Sequence, residues 1–316
     1  SINMISISGG SLTYRDEAAG TSHEITNMNL DLAAQSFSGP FEASGTLSYA
    51  GIPLTIEAAT SAFTKGEPSE IEASAKIANN DFRYIGGISF LEENISAQGK
   101  FSANVDSPGA LLEQIGASDV QLYGINRITA DSILSFKDEN ITLSDLSLSL
   151  NDALASGRLE YDLSRQALTG NLDFQESLSL SGVMTASDNS SVFSGASGGQ
   201  DSGQAQANQG LFLPKTHSMA LPGPVDLSIS APSLRIDGKE VGQTSASIKA
   251  DNQKASGSAD IQGLPGQGNL KASFEFLYGQ KTPDGSGNAF INPQLKAQIN
   301  ASTNDIKAMA GFLDMS

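Results

Sequence analysis

The chain contains no cysteine and no tryptophan, and His23 and His217 are its two histidines. Without cysteine there is no disulfide framework, no thiol nucleophile and no cysteine-bound zinc. Two histidines so far apart give no basis for a Ser-His-Asp or metal-histidine site. Basic residues are scarce as well: 18 Lys and Arg stand against 35 Asp and Glu, for a net charge of −17. No window gathers Lys and Arg into a basic footprint, so nucleic acid is excluded as a partner. The same balance disfavours adhesion to anionic membrane surfaces through charge. No apolar run approaches the ~20 residues of a membrane-spanning helix. The N-terminal SINMISISGG reads as the start of a strand and not as a signal peptide. The chain therefore reads as a segment of a longer protein, with any anchor or export signal outside it.

Motifs with chemistry are missing too. Gly195-Ala-Ser197-Gly-Gly199 has the GxSxG form, but it lies in low-complexity sequence without a strand-to-helix elbow. The acidic pairs Glu92-Glu93 and Asp138-Glu139 sit at turns, where charge is ordinarily solvated. Asp284-Gly-Ser-Gly-Asn288 lacks the bidentate Glu of a calcium loop. The expectation is a non-enzyme with no catalytic residues, no metal site and no cofactor.

What is abundant is alternation of apolar and polar residues, the mark of strands with one wet face. Ile71-Glu-Ala-Ser-Ala-Lys-Ile77, Leu159-Glu-Tyr-Asp-Leu163, Val225-Asp-Leu-Ser-Ile229 and Phe274-Glu-Phe276 all show it. Turn-forming residues separate the runs, among them Asn79-Asn-Asp81, Lys137-Asp-Glu-Asn140 and Asp237-Gly238, the last a type I′ hairpin signal. Two windows are helical. Ser107–Gly116 carries a cap, an early Pro108 and a terminal Gly. Ser302–Leu313 opens on Ser302 or Thr303 as cap and carries an apolar stripe at Ile306, Met309, Ala310 and Leu313. Residues 186–210 are rich in Ser, Gly and Gln and too poor in apolar surface to offset ordering entropy, and 186–222 read as a disordered insertion.

The alternation skips a beat at a recurring place. Ile25-Thr-Asn-Met-Asn-Leu-Asp-Leu32 and Leu143-Ser-Asp-Leu-Ser-Leu-Ser-Leu150 each switch parity at an Asn or Asp. Val241-Gly-Gln-Thr-Ser-Ala-Ser-Ile248 keeps the outline. Before each comes a short strand: Leu12-Thr-Tyr14, Leu134-Ser-Phe136 and Leu234-Arg-Ile236. After each comes Ala-Ser-Gly opening another, at Ala43, Ala155 and Ala255. A β-bulge at Asn27, Asp145 or Gln243 would return the later apolar residues to the original face. Gly45, Gly157 and Gly257 fall where a close backbone approach is expected.

The fold class expected is therefore mainly β: a long curved antiparallel β-sheet or meander of internal repeats, forming an elongated groove, with two short α-helices. The units are 1–118, ending in a short helix; 119–185; the insertion 186–222; and 223–316, ending in a helix. Two short helices cannot cover so many half-apolar strands. The sheet either closes into a dry core or curls into a trough open to an apolar ligand. The same residues would line either: Met28, Leu30, Leu32, Leu47, Tyr49, Leu134, Phe136, Leu146, Leu148, Leu150, Leu159, Tyr161, Leu172 and Phe174.

The repeated unit, Leu-x-Tyr/Phe, bulged strand, then Ala-Ser-Gly-x-Leu-x-Tyr, resembles the AsmA family of Gram-negative envelope proteins. It is carried here by Gly10–Tyr14, Ile25–Leu32 and Phe41–Tyr49, and by the second copy over 134–163. The resemblance implies a periplasmic body tethered to the inner membrane through an N-terminal anchor not contained in this chain. It also implies a lipid-conducting β-groove, related to bridge-like lipid-transfer proteins, that serves outer-membrane assembly or phospholipid transport. The implied partners are phospholipid or another acyl lipid and outer-membrane assembly components. The competing expectations are an exported adhesive or structural β-solenoid, autotransporter-like, with a dry core, and a scaffold that binds through its loops or a sheet edge.

Overall fold

The computed structural model describes residues 4–16, 21–49, 51–64, 67–91, 94–114, 122–181, 223–251, 253–264, 266–277, 280–281, 290–291, 294–305 and 307–308. The first group of strands is β1 (Ile5–Asp16), β2 (Thr21–Ala34), β3 (Phe41–Tyr49), β4 (Ile52–Thr60), β5 (Ser69–Ile77), β6 (Asn80–Leu91) and β7 (Asn94–Val105). A helix, α1 (Pro108–Gln114), follows. Next come β8 (Ile128–Lys137), β9 (Asn140–Leu150), β10 (Ala153–Asp162), β11 (Ala167–Phe174) and β12 (Leu178–Leu180). The last group is β13 (Val225–Ile236), β14 (Lys239–Ala250), β15 (Lys254–Leu264), β16 (Gly268–Leu277), the short pair β17 (Gln280–Lys281) and β18 (Phe290–Ile291), and β19 (Gln294–Ser302).

Apart from the β17–β18 pair, all strands belong to one open sheet of 17 strands. From β1 to β11 each strand pairs antiparallel with the next. The meander resumes from β13 through β16, and β19 adds to β16. The two halves meet where β11 and β12, end to end, run parallel to β13. A parallel junction needs a long crossover, and it occurs where residues 181–224 intervene. The ladders thus join strands on either side of residues 118/119 and on either side of residues 181–224.

The tight turns follow from residue type. Asp237 (φ 48°) and Gly238 (φ 82°) form the two-residue loop between Ile236 and Lys239, the type I′ geometry that matches strand twist. Asp138 and Glu139, both left-handed, do the same between β8 and β9. The first helix forms where its sequence places it: Ser107 O accepts the first helical bond, from Leu111 N at 3.0 Å. Asn80, 1% exposed, ties that corner together, its Oδ1 accepting from Ser107 N at 3.3 Å and its Nδ2 donating to Ile77 O at 3.1 Å. In the second helical window the cap is corrected. Ser302 ends β19, and Asp305 Oδ1 accepts from Ala308 N at 3.0 Å, the N-cap pattern. The window beyond 308 lies outside the described residues, as do 186–222, His217 and Asp284–Asn288.

Two of the three expected bulges stand where expected. Asn27 and Met28 of β2 together oppose the single Leu47 of β3, and Asn27 is left-handed (φ 52°). Ser144 to Ser147 of β9 oppose Ile133 to Asp131 of β8, and Asp145 is left-handed (φ 49°). The third bulge differs. Gln243 ends the ladder to β15 opposite Gln262 and on its other side faces Pro232-Ser233, where β13 has the extra residue; the extra residue of β14 is Val241, between Glu240 and Gly242. Gly242 (φ 93°) takes the left-handed backbone that any other residue would occupy only at a cost.

Candidate functional site: an uncharged sheet face

Residues directly opposite one another in a ladder share a face, so the register sorts every paired side chain onto one of two sides. One row runs Leu30, Gly45, Ile56, Ala75, Phe82, Ala103, Ala130, Leu148, Ala155 and Phe174 from β2 to β11. A second row, from Ile71 on β5 to Ala297 on β19, passes through Leu134, Leu159, Leu227 and Phe274. Every member of both rows is apolar or glycine. Away from the terminal pair of each ladder, no Asp, Glu, Lys or Arg shares this side. The bulges at Asn27 and Asp145 preserve the facing: Ile25 and Leu30, or Leu143 and Leu146, would otherwise lie on opposite sides.

Because β12 continues β11 along the flank of β13, the 17 strands occupy sixteen positions. Fifteen steps of ~4.8 Å make this face roughly 70 Å long. All fourteen residues expected to line an apolar face lie on it: Met28, Leu30 and Leu32 on β2; Leu47 and Tyr49 on β3; Leu134 and Phe136 on β8; Leu146, Leu148 and Leu150 on β9; Leu159 and Tyr161 on β10; Leu172 and Phe174 on β11. Sequence reasoning passed over the stretch between them, β4 to β7, and the whole β13–β19 half. Simple alternation at Leu54-Thr-Ile56, Phe82-Arg-Tyr84 and Leu270–Phe276 was the available signal.

Burial is graded along the face. The middle is tight: Leu146 and Ala155 are 2% exposed, and Ala153, Ala155, Phe174 and Ala231 form a core cluster with Leu148, Leu150, Leu172 and Leu178 around it. A smaller cluster joins Val241 and Leu264 to Leu234, Ile236, Ile261 and Leu270. Toward the two edge strands the same face opens, with Tyr14 of β1 at 60% and Ile299 of β19 at 65%. Most other apolar members are half-buried. Close strand approach accompanies the bulges: a Cβ added at Gly45 would lie 2.0 Å from Asn29 O, and one at Gly157 2.0 Å from Asn171 O. The polar exceptions are few. Ser132, opposite the β9 bulge, is buried with an unpartnered Oγ. The Tyr84 Oη donates to Gly87 O at 3.1 Å, and burial pushes its phenol pKa upward.

The opposite side carries the charge. Lys249–Asp226 (2.7 Å), Lys271–Asp260 (2.9 Å), Lys254–Glu275 (2.7 Å) and Arg83–Glu72 bridge neighbouring strands there. Short serines leave a shallow depression of about 530 Å³ on this side, bordered by Asp173, Ser230, Ser245, Asp260, Lys271 and Asn300. Among the described residues no three His, Asp or Glu side chains converge as a metal site. In comparisons with known proteins, no family model matches the chain, and no curated protein or solved structure does.

Proposed function

We propose that this chain is a non-enzymatic segment of a Gram-negative envelope protein whose apolar sheet face holds or conducts lipid acyl chains. The observation that carries the reading is the uncharged face, unbroken over sixteen strand positions and still partly exposed. A sheet this long ordinarily packs its apolar side against a second layer, and outside it the described residues supply only α1, the short β17–β18 pair and loops. Each methylene buried against such a face contributes about 0.8 kcal/mol, so an acyl chain is a fitting cover. In this reading the repeated AsmA-like units curve the sheet into an elongated groove within the periplasm. An anchor upstream ties it to the inner membrane, and phospholipid moves along it in support of outer-membrane assembly. The antiparallel meander does not favour the autotransporter-like alternative, which calls for short parallel coils.

The chain purified without detergent is expected to carry acyl lipid detectable by mass spectrometry. Ile299→Glu, at a position already 65% exposed, should fold normally and lower the lipid content. Ser147→Glu, on the charged side next to Leu148, should leave it unchanged. Lipid-free protein in repeated preparations, or equal lipid in both variants, would sink the proposal.

A further inference from the structure

One corner of the sheet gathers exposed aromatic side chains. The connection from β2 to β3 is a built turn: Gly39 N donates to Ser36 O at 3.2 Å, and Ser36 Oγ donates to Gly39 O at 2.7 Å. At its tip Phe37 is 91% exposed, more than any other large apolar side chain described. A second connection, from β4 to β5, is fastened to this turn by Phe63 N donating to Ser38 O at 2.6 Å. Its Phe63 ring lies 5.7 Å from Phe41 and 5.5 Å from Phe90, centroid to centroid, at the margin of the uncharged face. An open depression of about 340 Å³ is lined by Phe63, Thr64, Glu67 and Phe90, and Phe90 and its cross-strand partner Ile95 are each 49% exposed. Further along the same edge the turns are Lys137-Asp138-Glu139-Asn140 and Asp162–Arg165, both charged. The aromatic corner is therefore local and not a property of the edge as a whole.

We infer that this corner is a membrane-contact lip that inserts Phe37 into the interface of a zwitterionic phospholipid bilayer, with Phe63 and Phe90 joining the bilayer to the apolar face. Aromatic and aliphatic side chains on a rigid turn suit the boundary between headgroups and acyl chains. A chain of net charge −17 is repelled by an anionic surface, which selects a neutral bilayer. Continuity of Phe41, Phe63 and Phe90 with the face gives an acyl chain an aromatic path onto it. The inference rests on the lipid-holding reading above and adds where lipid is exchanged.

Since the chain has no tryptophan, F37W makes a single reporter at a position where folding is not at stake. On adding phosphatidylcholine vesicles its emission should shift to the blue and be quenched by brominated acyl chains. F37S should co-sediment with those vesicles about tenfold less than the unsubstituted chain, the loss of one buried aromatic. Unchanged F37W emission, or equal co-sedimentation of F37S, overturns the inference. Tighter binding to phosphatidylglycerol vesicles overturns the neutral-bilayer assignment. A blue shift that grows with protein concentration and needs no vesicles assigns Phe37 to a second copy and overturns it as well. A water-soluble fluorescent fatty acid keeps the two readings apart. F37S should bind it as well as the unsubstituted chain does, and a chain that binds none refutes the lipid-holding face while the vesicle result still decides the lip.

Discussion

Deleting Asp145 tests the claim that the bulge keeps β9 apolar on one side. Without the extra residue the strand must turn over one of its halves. Turning over Ile141 and Leu143 moves fewer side chains than turning over Leu146, Leu148 and Leu150, so the former sets the cost. Both residues are half-buried, and exposing them forfeits about 1–1.5 kcal/mol each. Thr142 and Ser144 would take their places, each adding about 1 kcal/mol for a hydroxyl on an apolar surface. Relief of the left-handed Asp145 backbone, φ 49°, returns about 1 kcal/mol. The net loss is about 3–4 kcal/mol, a large share of the ~5–15 kcal/mol that holds an ordinary domain folded. Two substitutions calibrate it. Asp145→Gly keeps the residue count and removes the strain, so its stability should stay level or rise by up to about 1 kcal/mol. Asp145→Val keeps the count and adds strain, so it should lose about 1 kcal/mol. Urea unfolding followed by far-ultraviolet circular dichroism reads all three. A deletion no more destabilising than Asp145→Val would refute the reasoning, because the bulge would then have no part in facing.

Gly157→Val should destabilise by at least about 2–3 kcal/mol, since its Cβ would meet Asn171 O at 2.0 Å, well inside contact distance. The same urea assay checks it, and a loss under about 1 kcal/mol would mean the strands can part at no great cost. The carboxyl of Asp162 is held well below the ordinary range, first by the Ser164 hydroxyl and then by the backbone and side chain of Arg165. Asp251, held by the amides of Gln253 and Lys254, and Glu275, held by Lys254, are lowered as well. A depressed folded pKa stabilises above the unfolded value and is lost as pH falls through the folded one. Stability should therefore decline below the ordinary carboxylate range of about 4 and continue down toward the lowered values. Carbon-detected NMR titration should show Asp162 moving upward in Ser164→Ala, and an unmoved midpoint would contradict the assignment.

The strands were legible because alternation is a local property: Ile71 to Ile77 or Leu159 to Leu163 declare their two sides without reference to any neighbour. Turns at Asp138-Glu139 and Asp237-Gly238 were legible because Asp and Gly tolerate a positive φ better than most residues. The bulges at Asn27 and Asp145 were marked by a change of parity. The third was placed at Gln243 and not at Val241, because the parity change does not show which nearby residue takes the left-handed backbone, and Gly242 does so at least cost. The second helical cap was misplaced for a similar reason. Ser302, Thr303 and Asp305 are all good caps, and the extent of β19 chose among them. Nothing local pointed to Phe37, since a single phenylalanine between serines looks the same whether its turn folds inward or outward.

The sequence by itself determined that the strands have one apolar and one polar side, where they turn, and where the parity slips are corrected, because each depends on bonds and sterics within a few residues. The tertiary structure alone decided that the apolar sides join into one uncharged face sixteen strand positions long. Only it shows that β13 lies parallel to β11 across the long intervening segment. It also placed Phe37, Phe63 and Phe90 at one corner of that face. Strand order and burial arise from contacts between residues far apart in the chain, and alternation carries no information about which distant strand will supply them.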